Sequence, residues 1–141
     1  MTGKASAYLL TGLLLSCVCL KPSAAASLQE DFAIVPEAVL RNLAKTSVMP
    51  RYPEASRKRG SQGRVVAQVD VDKAGRITEV TVLESPDEEI KSTVVEAIKQ
   101  WQFGSAYAGE QRKPVRIRGK LTFYFVIEGG DARVRNPRKF S

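Results

Sequence analysis

The chain has 141 residues, a length typical of one domain, and 22 lysines and arginines against 15 aspartates and glutamates give it a net charge of +7. It contains no histidine, and its two cysteines, Cys17 and Cys19, both lie near the N-terminus. The rest of the sequence therefore excludes a thiol nucleophile, a fold supported by disulfides and a metal site built on cysteine or histidine, and we predict no metal and no cofactor.

The first 26 residues have the organisation of a secretory signal peptide. Lys4 precedes an uncharged, mostly apolar stretch over residues 7–20, Pro22 ends it, and small residues lead to Ala26. The stretch is short for a membrane span, so we predict cleavage after Ala26 and an exported mature chain. Two alternatives stay open: an uncleaved anchor, and lipidation of Cys17 in the lipobox-like "LLSC", which would tether the protein to a membrane.

The mature chain predicted from this cleavage stays basic, with 20 lysines and arginines against 15 acidic side chains and a net charge of +5. A basic exported protein meets anionic lipids, cell-wall polymers and acidic protein surfaces. Export argues against nucleic acid, which we do not predict as a partner. Residues 27–49 are predicted as a short linker or helix, residues 50–128 as the folded domain, and residues 129–141 as a basic tail.

The first elements of the predicted domain are a short helix and a hairpin. Tyr52-Pro53 suits a helix start, because proline is tolerated at the first helical position, and Gly60 can end that helix. Apolar and polar residues then alternate on both sides of the turn "DKAG" within residues 64–83, which predicts two antiparallel strands. Asp70 falls on the polar side of the first strand, so we expect it to face solvent.

A helix follows the hairpin. Ser85 is predicted as its N-cap and Pro86 as its first residue, with Glu88 completing a capping box. We interpret its acidic first turn as capping and not as catalytic carboxylates. The buried stripe is predicted to consist of Ile90, Val94, Ala97, Ile98 and Trp101.

The last predicted strand, residues 115–127, alternates apolar and polar residues over its whole length. The order strand–strand–helix–strand predicts an α+β, two-layer ββαβ fold: a three-stranded antiparallel sheet in the order 2-1-3 with the helix on one face. The last strand then lies on an edge with one side unpaired within the chain. Two interpretations stay open: Arg116, Arg118 and Lys120 protect this edge from aggregation, or the edge receives a strand from another protein.

The ordered set of features over residues 50–127 closely resembles the C-terminal domain family of TonB proteins. The set comprises Tyr52-Pro53, the glycines at 60 and 63, the "VDVDKAGRI" turn, the helix ending in "WQF" and the terminal strand. The resemblance implies a periplasmic domain that passes energy to outer-membrane receptors and pairs an extended receptor segment with its last strand. Carried over to this chain, it implies the partner-binding residues Tyr52, Pro53, Arg116, Arg118, Lys120, Thr122, Phe123, Tyr124 and Phe125.

Our leading hypothesis is therefore a non-enzymatic periplasmic protein that binds a segment of an envelope or outer-membrane protein by strand addition. The chain departs from the full-length pattern, because it has no histidine for a motor-coupling anchor and only 23 residues between residue 26 and the domain. Alternatives are an accessory subunit of an envelope complex, and a module that binds peptidoglycan or anionic lipid through its basic residues. A homodimer formed by strand exchange is a further prediction for an edge strand.

Overall fold

The computed structural model describes Gly3 and residues 32–137. Apart from Gly3, the predicted signal peptide, including the lipidation site at Cys17, lies outside the described residues, and so do the last four residues. Within residues 32–137, no helix is long and apolar enough to span a membrane.

The described elements are three helices and eight strands, which form an α+β fold. In chain order they are β1 (Phe32–Ile34), α1 (Glu37–Leu43), β2 (Ala44–Thr46), α2 (Glu54–Arg59), β3 (Gly63–Val71), β4 (Ile77–Glu84), α3 (Glu88–Lys99), β5 (Gln102–Phe103), β6 (Ala106–Ala108), β7 (Lys113–Glu128) and β8 (Asp131–Arg135).

The main sheet is built around β3 and β7. The strand β3 pairs antiparallel with β4 on one side and with β7 on the other. The register of β3 with β7 runs from Gly63 opposite Phe125 to Val71 opposite Ile117. The three long strands thus lie side by side as β4–β3–β7. The sheet is larger than the predicted three strands, because the short strands β1, β6 and β8 also pair with β7. β1 and β6 have three residues each, too few to show a period-2 pattern, and β8 alternates polar and apolar residues but falls in the segment predicted as a basic tail.

The core lies between the sheet and the helices. Alternate side chains of β3 and β7 point to one face and are almost completely buried against the apolar stripe of α3, as the alternation predicted. Trp101 closes this core: it is 5% exposed, and its indole Nε1 donates a hydrogen bond to the carbonyl oxygen of Val48 at 2.8 Å. The rings of Phe103 and Phe123 lie 6.0 and 6.2 Å from the indole ring.

The N-cap of α3 is Asp87 and not Ser85. The carboxylate of Asp87 accepts hydrogen bonds from the Ile90 N–H at 2.8 Å and from the Ser56 hydroxyl at 3.1 Å, whereas the Ser85 hydroxyl donates to the Asp87 carbonyl oxygen. Burial acts to raise the pKa of Asp87, but these hydrogen bonds and those from Ser61 and Arg59 outweigh it and lower the pKa to about 2. A carboxylate accepts from helix N–H groups more strongly than a hydroxyl does, which moves the helix start by two residues.

The segments expected as linker and tail also contain helices or strands that pack against the rest of the domain. Helix α1 docks through Leu40, which is completely buried, and β2 pairs with β5 in a small second sheet. The turn at Gly129 and Gly130, both with positive φ, returns the chain so that β8 pairs with the end of β7.

Candidate interaction edge

The candidate site is the outer edge of β7, meaning the backbone N–H and C=O groups that point away from β3. Successive residues of a strand point these groups to opposite sides, so every second residue contributes to this edge. Thr122 belongs to it, because its N–H and its carbonyl oxygen both contact α1. Residues 116, 118, 120 and 124 share the same parity and therefore the same edge.

One end of the outer edge is covered by β1. This strand runs parallel to β7, with Phe32 opposite Arg116 and Ile34 opposite Arg118. Just beyond it, the Val35 N–H donates to the Arg118 carbonyl oxygen at 2.9 Å. The prediction that one side of this strand has no partner within the chain is therefore wrong.

The middle of the outer edge is held by two side chains of α1. The Glu37 carboxylate accepts from the Thr122 N–H at 2.8 Å and from its hydroxyl at 2.9 Å, and Arg41 Nη2 donates to the Thr122 carbonyl oxygen at 2.7 Å. Glu37 and Arg41 are one helical turn apart and form an ion pair at 2.8 Å. Together they supply the acceptor and the donor that a paired strand residue would supply at this position.

The far end of the outer edge is covered by β8, which pairs with residues from Tyr124 to Glu128. Arg135 of β8 forms an ion pair with Glu128. Arg41 also reaches this region, since its Nη1 donates to Asn136 Oδ1 at 3.2 Å. The strands β1 and β8 and the two side chains of α1 thus cover most of the edge that the sequence predicts as open.

Two of the three predicted edge cations contact the ring of Phe32. The guanidinium carbons of Arg116 and Arg118 lie 4.7 and 4.4 Å from its centroid, which is the distance of a cation–π contact. Arg118 also forms a two-point ion pair with Asp70, at 2.7 Å from Nε to Oδ1 and 2.6 Å from Nη2 to Oδ2. Lys120 is exposed.

Asp70 is 3% exposed, so the expectation that it faces solvent is wrong. A polar residue on the outer face of a strand is covered when a long cross-strand neighbour lies over it, and here that neighbour is Arg118. Periodicity assigns the face of a strand and does not show which cross-strand residue will lie over it.

The remaining predicted binding residues divide between surface and core. Tyr124 is 38% exposed and Thr122 is partly buried under α1, whereas the side chains of Phe123 and Phe125 are completely buried. The structure therefore places the two phenylalanine side chains where they support β7 from inside.

Tyr52-Pro53 lies at the Phe125 end of β7, away from β1. The Tyr52 ring packs edge-on against Phe125 at 5.3 Å, and its hydroxyl donates to the carbonyl oxygen of Ser61. Burial raises the pKa of Tyr52, and the negative charge of Asp87 adds to that effect. Pro53 is the N-cap of α2. The Tyr52 side chain thus packs against the end of β7.

Sequence reasoning missed Phe32, Glu37 and Arg41 as residues of this edge. A glutamate four residues before an arginine indicates a helical ion pair, and α1 contains one. Nothing in that spacing identifies Thr122, 85 residues along the chain from Glu37, as their common partner. No group of three or more metal-ligating side chains occurs within the described part of the chain.

A family model for the C-terminal region of Gram-negative bacterial TonB proteins matches residues 48–127. The chain is 32% identical over 75 residues to Protein TonB of Xanthomonas campestris pv. campestris strain B100, covering 52% of this chain and 34% of that protein. It is 34% identical over 88 residues to Protein TonB of Vibrio cholerae serotype O1, covering 62% of this chain and 35% of that protein. The chain spans about a third of the length of these curated relatives.

A solved structure has a similar fold. The solution NMR structure of the Pseudomonas aeruginosa TonB CTD aligns with a TM-score of 0.50 and 30% sequence identity, covering 60% of this chain and 85% of that chain.

Proposed function

The match over residues 48–127 shows that the chain belongs to the TonB C-terminal family, and on that premise we propose that it is a periplasmic binding domain acting in TonB-type transport across the outer membrane. Proteins of this family are energy transducers and interaction proteins and not enzymes. The partner we propose is an extended segment of an outer-membrane or envelope protein, which adds as a strand to the outer edge of β7.

The length of β7 and the small size of the elements that cover it support this proposal. The strand has 16 residues, and β3 pairs with nine of them. On the other side, β1 pairs at three residues, and β8 pairs at five near the end. A visiting strand that displaces β1 or β8 makes more ladder hydrogen bonds than either of them, so the exchange is favourable for a well-matched segment.

The binding residues we propose have different roles. Arg116, Arg118, Lys120, Thr122 and Tyr124 contribute their outward backbone groups and their partly exposed or exposed side chains. Phe123 and Phe125 hold the strand from the core, and Tyr52-Pro53 packs at the Phe125 end.

The alternative basic-surface function is less well supported. Arg118, Arg133 and Arg135 are each paired with a carboxylate within 3.2 Å, which reduces the positive charge offered to a polymer or lipid. An accessory subunit would use the same outer edge of β7 and would differ in staying bound. A homodimer would place a second copy of this chain on that edge.

Site-specific photocrosslinking in the producing cell tests the proposed function. A photoreactive phenylalanine is placed at Lys120, which is exposed on β7 between the β1 end and Thr122, and as a control at Leu83, which is 51% exposed on β4 at the opposite side of the sheet. We expect adducts with outer-membrane proteins from position 120 and few or none from position 83. Equal adducts from both positions, or adducts only with a second copy of this chain, would contradict strand addition of an outer-membrane protein at β7.

A further inference from the structure

We propose that residues 32–35 are an internal ligand of β7: they occupy the place of the visiting strand, keep the outer edge closed, and show by their own chemistry what that strand must look like. The inference rests on the proposed function, because it concerns regulation of the same edge. We call residues 32–35 the lid segment.

The lid segment makes the contacts of a bound peptide. It is extended, parallel to β7, and paired at Arg116, Ile117 and Arg118. The Val35 N–H supplies a further backbone hydrogen bond to the Arg118 carbonyl oxygen. The Phe32 ring contacts the guanidinium groups of Arg116 and Arg118, so this end of the edge recognises an aromatic side chain.

The lid segment is weakly held in comparison with the helix that follows it. Ile34 is 83% exposed, and Phe32 and Ala33 are only partly buried. Pro36 then separates the segment from α1, which is fixed in the core by the completely buried Leu40. A segment with few buried side chains and few ladder bonds opens locally at a small fraction of the global unfolding free energy, while α1 stays docked.

Gly119 shows that the lid segment is fitted to β7. A Cβ at this position would lie 2.9 Å from Leu40 Cδ2 and 3.2 Å from Val35 Cγ2. The backbone of Gly119 does not have positive φ, so the turn of the chain does not require glycine here. The glycine instead allows Val35 and α1 to approach the strand closely.

The partner that follows from these contacts is a short extended segment that runs parallel to β7. It carries an aromatic side chain between Arg116 and Arg118 and ends before the Glu37–Arg41 pair at Thr122. Such a segment competes with the lid. Its apparent affinity is therefore its intrinsic affinity multiplied by the fraction of molecules in which the lid is open.

The test compares two proline variants of the full chain. Ala33 has the same parity as Val35 and so points its N–H toward β7, whereas Ile34 points its N–H away. Ala33→Pro therefore removes a ladder bond and opens the lid, and Ile34→Pro is the matched control. The probe is a labelled synthetic peptide, EDFAIVP, which copies residues 30–36, and binding is measured by fluorescence anisotropy.

We expect Ala33→Pro to bind this peptide at least about tenfold more tightly than the wild-type chain or Ile34→Pro. The peptide EDAAIVP, which lacks the aromatic ring, should bind Ala33→Pro more weakly than EDFAIVP. Equal binding of EDFAIVP by the three chains would overturn the inference.

Hydrogen exchange on the wild-type chain gives an independent result that does not depend on the folding of a variant. The Val35 amide should exchange through a local opening, at a lower free energy than the amides of β3. Exchange of Val35 only through global unfolding would contradict a lid.

The two proposals fail in different ways. An outer-membrane segment that binds wild type and Ala33→Pro equally would support the proposed function and overturn the lid. The probe binding tightly to Ala33→Pro while no outer-membrane protein crosslinks at Lys120 would support the lid and overturn the proposed function.

Discussion

The ion pair between Asp70 and Arg118 should respond very differently to the loss of its two members. The side chain of Asp70 is 4% exposed, and that of Arg118 is 37% exposed. Arg118→Met leaves the carboxylate buried without its cation, and breaking a buried pair in this way costs about 3–5 kcal/mol. Asp70→Asn leaves a guanidinium that already reaches water, so we expect a loss of only about 1 kcal/mol.

Urea unfolding followed by the fluorescence of Trp101 measures both losses, since the buried indole becomes exposed when the chain unfolds. The double variant Asp70→Asn/Arg118→Met should lose less stability than Arg118→Met, because it no longer buries an unpaired charge. The difference between the single variants should persist in about 0.5 M salt, because buried pairs are screened less than exposed ones.

Two outcomes would contradict the asymmetry between the two single variants. Equal losses for Asp70→Asn and Arg118→Met would show that the carboxylate reaches water when its partner is removed. A double variant less stable than Arg118→Met would show that the unpaired Asp70 carboxylate is not what destabilises Arg118→Met.

Three further predictions concern the core, the helix cap and a turn. Trp101→Ala should lower the free energy of unfolding by about 3–5 kcal/mol. Trp101→Phe should lower it by about 1–2 kcal/mol, because it keeps most of the ring packing and loses the hydrogen bond to Val48. Melting curves compare the two variants. The pKa of Asp87 is about 2, below its ordinary 3.8. Its stabilisation should therefore be complete above about pH 5 and fade as the pH falls toward 2, and Asp87→Asn should lose this part of the acid sensitivity in urea titrations at several pH values. Gly75→Ala should destabilise far more than Gly60→Ala: both glycines have positive φ, but only at Gly75 would a Cβ meet a backbone oxygen, at 2.2 Å, and circular dichroism melts would show the difference.

The elements that could be predicted from the sequence are those with a regular pattern over many residues. The alternation in β3 and β7 and the stripe of α3 identified the buried side chains correctly, including Trp101. The ordered motifs also identified the family, which the match over residues 48–127 confirms.

The contacts on the outer edge of β7 could not be predicted, because they join short elements that lie far apart in the chain. The segment Phe32–Ile34 has too few residues for periodicity, and a Glu–Arg helical pair has the same spacing whether its partner is solvent or Thr122. The cap at Asp87 was missed because Ser85 and Asp87 both suit an N-cap, and the contact that helps to favour the Asp87 carboxylate comes from Ser56 of another helix.

The pairing of β1 with β7 also has a consequence for how the chain folds. Phe32 enters the sheet opposite Arg116, so β1, near the front of the chain, pairs with one of its last strands. Contacts this distant in sequence form slowly, because a long loop must close before they contribute. A chain that emerges N-terminus first holds β1 unpaired until β7 arrives, and during that interval β1 is exposed to aggregation and to proteases. We therefore expect refolding to show a late phase in which the rest of the sheet is protected from exchange before the amide of Val35 is.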